Sequence, residues 1–136
     1  GFVASDFAKQ IARIEAGLQD AVMTVGNLAA ERDFTDVRDV VRAYHLIMQQ
    51  GIAGEVYNVA SGKTYSIQQL LDILLGCSRV TIRVQSDPAQ MLPIDVLVVR
   101  GDTSRLHKLT GWRPSIAFET TLLDVLNDWR ERVRRG

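Results

Sequence analysis

The residue of this sequence best suited to hold a ligand is Arg32, which opens the run Arg32-Asp33-Phe34-Thr35-Asp36. A planar guanidinium keeps its charge at any physiological pH and donates paired hydrogen bonds that match the oxygens of a phosphate. The same arginine has a blander use, a surface ion pair with Asp33 or Asp36, which contributes little to stability. Residue type alone leaves the two readings level. Asp33, Asp36 and Asp39 read as helix caps and as partners for Arg38 and Arg42 rather than as acid–base groups.

Chemistry by this chain alone is not expected. Gly51 and Gly54 follow a helical pattern rather than a strand, and no third glycine completes a dinucleotide or P-loop cradle. His45 and His107 are far apart, and the lone Cys77 has no second cysteine at metal-ligand spacing, so no metal is expected. No nucleophile-elbow pattern places a serine. Tyr44, Tyr57 and Tyr65 are followed four residues later by Met48, Ser61 and Gln69, so no Tyr-x-x-x-Lys pair occurs. No catalytic or cofactor-binding residue is therefore assigned.

The elements that must position Arg32 follow from periodicity. Val3, Phe7, Ile11, Ile14 and Leu18 make one apolar face of a first helix that Gly17 ends. Val22 to Val25 reads as a strand, bounded by Gly26-Asn27. Asp36 or Thr35 caps a helix with Val37, Val40, Val41, Tyr44, Ile47 and Met48 on one stripe. Glu55 to Ala60 reads as a strand apolar enough for burial on both faces, as in a parallel sheet. Ser66 and Gln69 form a capping box for a helix carrying Ile67, Leu70, Leu71, Leu74 and Leu75. Val80 to Val84 alternates like a strand, residues 85–95 form a loop with Pro88 and Pro93, and Val96 to Val99 is extended. A short helix starts at Thr103 or Ser104 and ends near Gly111. A last one carries Phe118, Leu122, Val125, Leu126, Trp129 and Val133, and its arginine-rich end suits the helix dipole.

The 136 residues fit one domain, and the 46% apolar and 24% charged fractions are those of an ordinary globular chain. Sixteen basic side chains balance sixteen acidic ones, which gives no reason to expect a nucleic-acid or membrane partner. A single cysteine in an apolar run fits a buried thiol and a reducing, cytoplasmic setting. The sequence opens on Gly1-Phe2-Val3, close to a helix start and without an initiator Met, so a preceding segment is expected.

Three stretches say more than periodicity explains: Gly26-Asn27-Leu28 leading to Arg32-Asp33-Phe34-Thr35-Asp36-Val37-Arg38-Asp39-Val40, then Val56-Tyr57-Asn58-Val59-Ala60-Ser61-Gly62, then Leu109-Thr110-Gly111-Trp112-Arg113-Pro114. In this order they resemble the C-terminal part of extended short-chain dehydrogenases/reductases acting on nucleotide sugars, a family of epimerases, dehydratases and reductases. With Phe2-Val3 and Phe7 to Ile11, the likeness is strongest to the reductases of GDP-4-keto-6-deoxy-hexoses, and next to the GDP-mannose 4,6-dehydratases.

That resemblance implies an α/β fold in which residues 1–136 form one substrate-binding lobe, helices with a few short strands. A Rossmann half bearing the NAD or NADP site and the catalytic Tyr and Lys would precede it. It implies a GDP-hexose substrate, a homo-oligomeric parent, and a fragment that is inactive by itself. With its strand neighbours in an absent segment, the strand at 55–60 would expose a pairing edge, so the fragment is expected to self-associate. By resemblance Arg32 matches an arginine that contacts the substrate diphosphate. Val25 and Asn27 would line the base pocket, and Lys9 is a further candidate for a phosphate. Trp112 and Pro114 resemble an anchor ahead of the last helix. The chain departs from the family at Met91-Leu92-Pro93, where Leu92 replaces a second diphosphate-binding arginine. Arg83 and Arg100 are the candidates to compensate.

Overall fold

The computed structural model describes residues 2–93 and 96–136. Ile94 and Asp95, the end of the predicted 85–95 loop, lie outside the described residues, as does Gly1. Helix α1 spans Val3–Glu15 and buries Phe7, Ala8, Ile11, Ala12 and Ile14. Gly17 follows it at φ 70°, the left-handed conformation that ends helices without a Cβ penalty. Leu18 lies beyond this turn and is exposed, because the helix stops before it.

Strand β1, Val22–Val25, pairs in parallel with β4, Arg83–Ser86, in a register that sets Val22 opposite Arg83 and Val25 opposite Ser86. The predicted strand at Val80 to Val84 therefore forms three residues later. A strand exists only where its neighbour offers partners, and β1 begins at Val22. Ile82 and Val84 still pack on the core. Strand β2, Glu31–Asp33, is central in a second sheet, between antiparallel β3, Thr64–Ser66, and parallel β5, Val98–Val99.

Helix α2, Val37–Gln50, is capped by Asp36, whose carboxylate accepts from the Arg38 N–H. Helix α3, Ile67–Gly76, starts on the full capping box of Ser66 and Gln69. A short 3-10 turn covers Pro88–Gln90. Helix α4, Ser104–Thr110, ends on Gly111 in the left-handed region, and α5 spans Phe118–Arg135.

The main core joins α1, α3, α5 and β1, and Phe118 stacks between Phe34 and Tyr65 with ring centroids 5.3 and 4.0 Å away. At its rim Arg130 donates to both oxygens of Glu15, at 2.7 and 2.6 Å, and to the Cys77 carbonyl. Cys77 is half-buried rather than fully enclosed. Trp129 is likewise half-buried, with its indole N–H on the Ser5 hydroxyl. No described helix is long and apolar enough to cross a membrane.

Two expectations fail, the first in part. The apolar stripe of α2 is divided: Val40 and Ile47 are half-buried, Ile47 against the second core, while Val37, Val41, Tyr44 and Met48 are exposed, Met48 to 87%. The fully buried positions are Asp39 and Ala43. Asp39 accepts from the Ser115 and Ile116 N–H groups and the Ser115 hydroxyl, while Trp112 donates its indole N–H to the Asp39 carbonyl. This polar anchor and the small Ala43 let α2 sit closely against α4 and Trp112, forming a second core of Ala43, Leu106 and Trp112. The second failure is the strand at 55–60. Those residues form no strand, and Val56 is 73% exposed, because no described strand lies alongside to take their backbone hydrogen bonds.

Candidate functional site

Arg32 is the middle residue of β2, opposite Tyr65 on one side and Val99 on the other. Alternation along the strand sends its side chain to the face opposite Glu31 and Asp33. It borders an open groove of about 480 Å³ with Asn27, Ala30, Gln90, Leu92, Pro93, Val96 and Val99. That volume is in the range of small-ligand sites. The groove lies past the C-terminal end of parallel β1, where ligands of α/β folds commonly bind.

The guanidinium is held at one end. Its Nη1 donates to the carbonyls of Glu31, at 2.7 Å, and Leu97, at 3.3 Å. Neither aspartate considered from the sequence is its partner. Asp33 accepts from Ser61, Gly62 and Gly101. Asp36 is paired with Arg38, and Arg38 also reaches Asp124 on α5. The hydrogen bonds from Arg38 hold the Asp36 carboxyl far below the usual carboxylate range, outweighing burial, with the Thr121 hydroxyl adding to them. Arg32 is thus the one charged side chain among the described residues of the groove.

Asn27 lies at the turn out of β1 and caps it locally, its Oδ1 accepting from the Ala29 N–H. Gly26 precedes it for a steric reason: a Cβ there would lie 2.4 Å from the Gln90 carbonyl oxygen. The exit of β1 and the Pro88–Gln90 turn therefore touch backbone to backbone and form a common floor. The turn is fixed by Asp87, which accepts from Ala89 N–H and Gln90 Nε2.

Two other proposed site residues lie elsewhere. Val25 is 2% exposed and belongs to the main core, because β1 alternation turns it with Met23 toward the helices. Lys9 sits 5.4 Å from the Trp129 ring on the α1–α5 side, so its cation is placed over an aromatic face rather than in the groove. Neither candidate replacement for the absent arginine reaches the groove. Arg83 starts β4, three residues and ~10 Å of strand before its C-terminal end. Arg100 borders a separate cleft with His107, Trp112 and Arg113. Leu92 is 71% exposed and, with Pro93, Val96 and Val99, gives the groove an apolar lining beside Arg32.

Gln90, Val96 and Val99 were not found from the sequence. The Asp87-Pro88 pair is a turn signal and marks the bend that brings Gln90 back to Gly26. Val96 and Val99 carry no comparable signal, because their place depends on β5 pairing with β2. Among the described residues no three of His, Cys, Asp and Glu converge as a metal site requires.

A family model described as GDP-mannose 4,6 dehydratase matches residues 1–125. The GDP-6-deoxy-D-mannose reductase of Pseudomonas aeruginosa is 42% identical over 133 residues, covering 98% of this chain and 44% of that protein. GDP-mannose 4,6 dehydratase 1 of Arabidopsis thaliana is 28% identical over 136 residues, covering 98% of this chain and 37% of its own length. Among solved structures, RMD from Pseudomonas aeruginosa complexed with NADPH superposes with a TM-score of 0.90 at 40% identity, over 96% of this chain and 43% of that one. The chain thus spans less than half the length of the relatives it matches.

Proposed function

Because the chain belongs to the GDP-mannose 4,6 dehydratase family of extended short-chain dehydrogenases/reductases, we propose that it forms the nucleotide-sugar-binding lobe of an NAD(P)-dependent enzyme. The carrying observation is Arg32, the one cation among the described residues of the groove, fixed at one end beside Asn27. Its free donors meet the substrate diphosphate, and the apolar lining of Leu92, Pro93, Val96 and Val99 meets the less polar parts of the ligand. The whole protein reduces the 4-keto group of a GDP-6-deoxy-hexose, a reading supported by the 42% identity to the Pseudomonas aeruginosa reductase.

The cofactor belongs to a Rossmann half that residues 1–136 do not form, and NAD(P)H bound there supplies the hydride. This chain's part is to bind and orient the nucleotide sugar. The exposed α2 seam of Val37, Val41, Tyr44 and Met48 and the unpaired residues 55–60 form the face that such a half covers. Left uncovered, the same face makes the isolated 136-residue chain self-associate, and without the cofactor half it is catalytically inactive.

Calorimetric titration of full-length protein with GDP-mannose tests the groove. Arg32→Ala removes a charged hydrogen bond of about 1.5–3 kcal/mol, so affinity falls roughly tenfold to a hundredfold. Unchanged affinity removes Arg32 from the site. The family description favours a dehydratase as the second reading. Product analysis separates the two: a 4-keto product from GDP-mannose with no net NAD(P)H consumption sinks the reductase assignment.

A further inference from the structure

Among the described residues the carboxylate of Asp33 takes part in no ion pair; it faces away from the groove and collects several hydrogen-bond donors. Its Oδ1 accepts from the Ser61 N–H at 2.9 Å and the Ser61 hydroxyl at 2.6 Å. Its Oδ2 accepts from the Gly62 N–H at 2.8 Å and the Gly101 N–H at 3.3 Å. These donors come from two loops that cross each other at this point. A Cβ on Gly101 would lie 2.2 Å from the Ala60 Cβ, so the loops touch at a place where one must carry glycine. Gly62 donates its N–H to this carboxylate and sits at φ 76°, in the left-handed region that favours glycine.

Each loop belongs to one neighbour of β2. Residues 61–63 lead into β3, and Gly101 follows β5 by two positions. Asp33 therefore ties both flanking strands to the strand that carries Arg32. The tie to β5 matters for the groove. Val99 forms part of its apolar side, and Leu97, just before β5, provides one of the two carbonyls that hold the Arg32 guanidinium. The chain of contacts runs from Asp33 through Gly101 and β5 to the Leu97 carbonyl, and from there to Arg32 Nη1.

We propose that Asp33 is a positioning residue for ligand binding: it sets the Arg32 guanidinium relative to the groove's apolar side by fixing β5 against β2. This rests on the reading of the groove as a nucleotide-sugar site and adds a residue that never touches the ligand. The alternative is a role in stability alone, and the two differ in how Asp33 couples to Arg32.

The test is a double-mutant cycle in full-length protein, with the GDP-mannose dissociation constant and the melting temperature measured for each variant. Asp33→Asn keeps the size but presents an amide to several N–H donors. It is expected to weaken binding about tenfold, and to weaken it no further in an Arg32→Ala background. Ser61→Ala, which removes one donor and leaves the backbone intact, gives a smaller loss with the same non-additivity if Asp33→Asn does not fold. A lowered melting temperature with unchanged affinity overturns the proposal, and so does an Asp33→Asn or Ser61→Ala loss that persists in full without Arg32. If Arg32→Ala leaves affinity unchanged, the reading of the groove falls and this inference with it. An Arg32 effect with additive Asp33 overturns the inference alone.

Discussion

Replacing Asp39 should cost this fold more than any exposed substitution, because one buried carboxylate holds α2 to the segment leading into α5. Its side chain is 2% exposed and accepts from Arg42 Nη2, the N–H groups of Ser115 and Ile116, and the Ser115 hydroxyl. Burial alone would push this carboxyl upward. The N–H groups of Ile116 and Ser115, with the Arg42 guanidinium and the Ser115 hydroxyl, more than offset that and hold it below the usual carboxylate range. Asp39→Ala leaves these donors without their acceptor. Breaking a buried charged cluster costs about 3–5 kcal/mol. Arg42 is 43% exposed and regains water, so the lower end, about 3 kcal/mol, applies. That is a large share of the 5–15 kcal/mol available to a typical domain.

Urea unfolding followed by tryptophan fluorescence and circular dichroism measures this loss. Trp112, 1% exposed and bonded to the Asp39 carbonyl, makes the fluorescence sensitive to the same contact. The sign of the pH dependence follows from the direction of the shift. A carboxyl lowered in the folded state stabilises above its unfolded value near 4, and that contribution is lost as pH falls through the folded value. The gap between the native protein and Asp39→Asn should therefore be full at pH 7 and shrink below about pH 4. A loss under about 1 kcal/mol at pH 7, or a gap that widens in acid, refutes the argument.

Gly26→Ala drives a Cβ into the Gln90 carbonyl, so it should cost about 1–3 kcal/mol in urea unfolding and weaken GDP-mannose binding in full-length protein. Native stability with native affinity would show that the groove floor does not need the close approach. The double substitution Val41→Glu and Met48→Glu places charge in the exposed seam of α2. Light scattering should show the unmodified 136-residue chain self-associating and this variant monomeric, and a clean monomeric profile for the unmodified chain counts against the docking face. In full-length protein the same pair should lower the melting temperature, since it would sit at a covered surface.

Periodicity and capping chemistry are local, and they were legible. Val3 to Glu15, the Asp36 cap, the Ser66–Gln69 box and the Gly111 stop all follow from side chains within one or two turns of each other. Trp112 as an anchor ahead of α5 was legible as well. The sequence marked Arg32 as a candidate for an anion, and the family resemblance marked Leu92 as a departure at a second anion-binding position. It could not tell which face of α2 is buried. An apolar stripe and a polar anchor compete for that face, and the acceptor role of Asp39 depends on Ser115 and Ile116, far along the chain. Pairing explains the rest. The strand at 80–84 forms at 83–86 and the one at 55–60 does not form, because hydrogen bonds between strands need a neighbour that no local pattern specifies. Only the tertiary structure decided that Asn27, Arg32 and Leu92 share a groove, that Val25 and Lys9 lie outside it, and that Asp33 accepts from the loops beside both β3 and β5. Each of those facts rests on contacts between residues distant in sequence, and packing alone sets which of them meet.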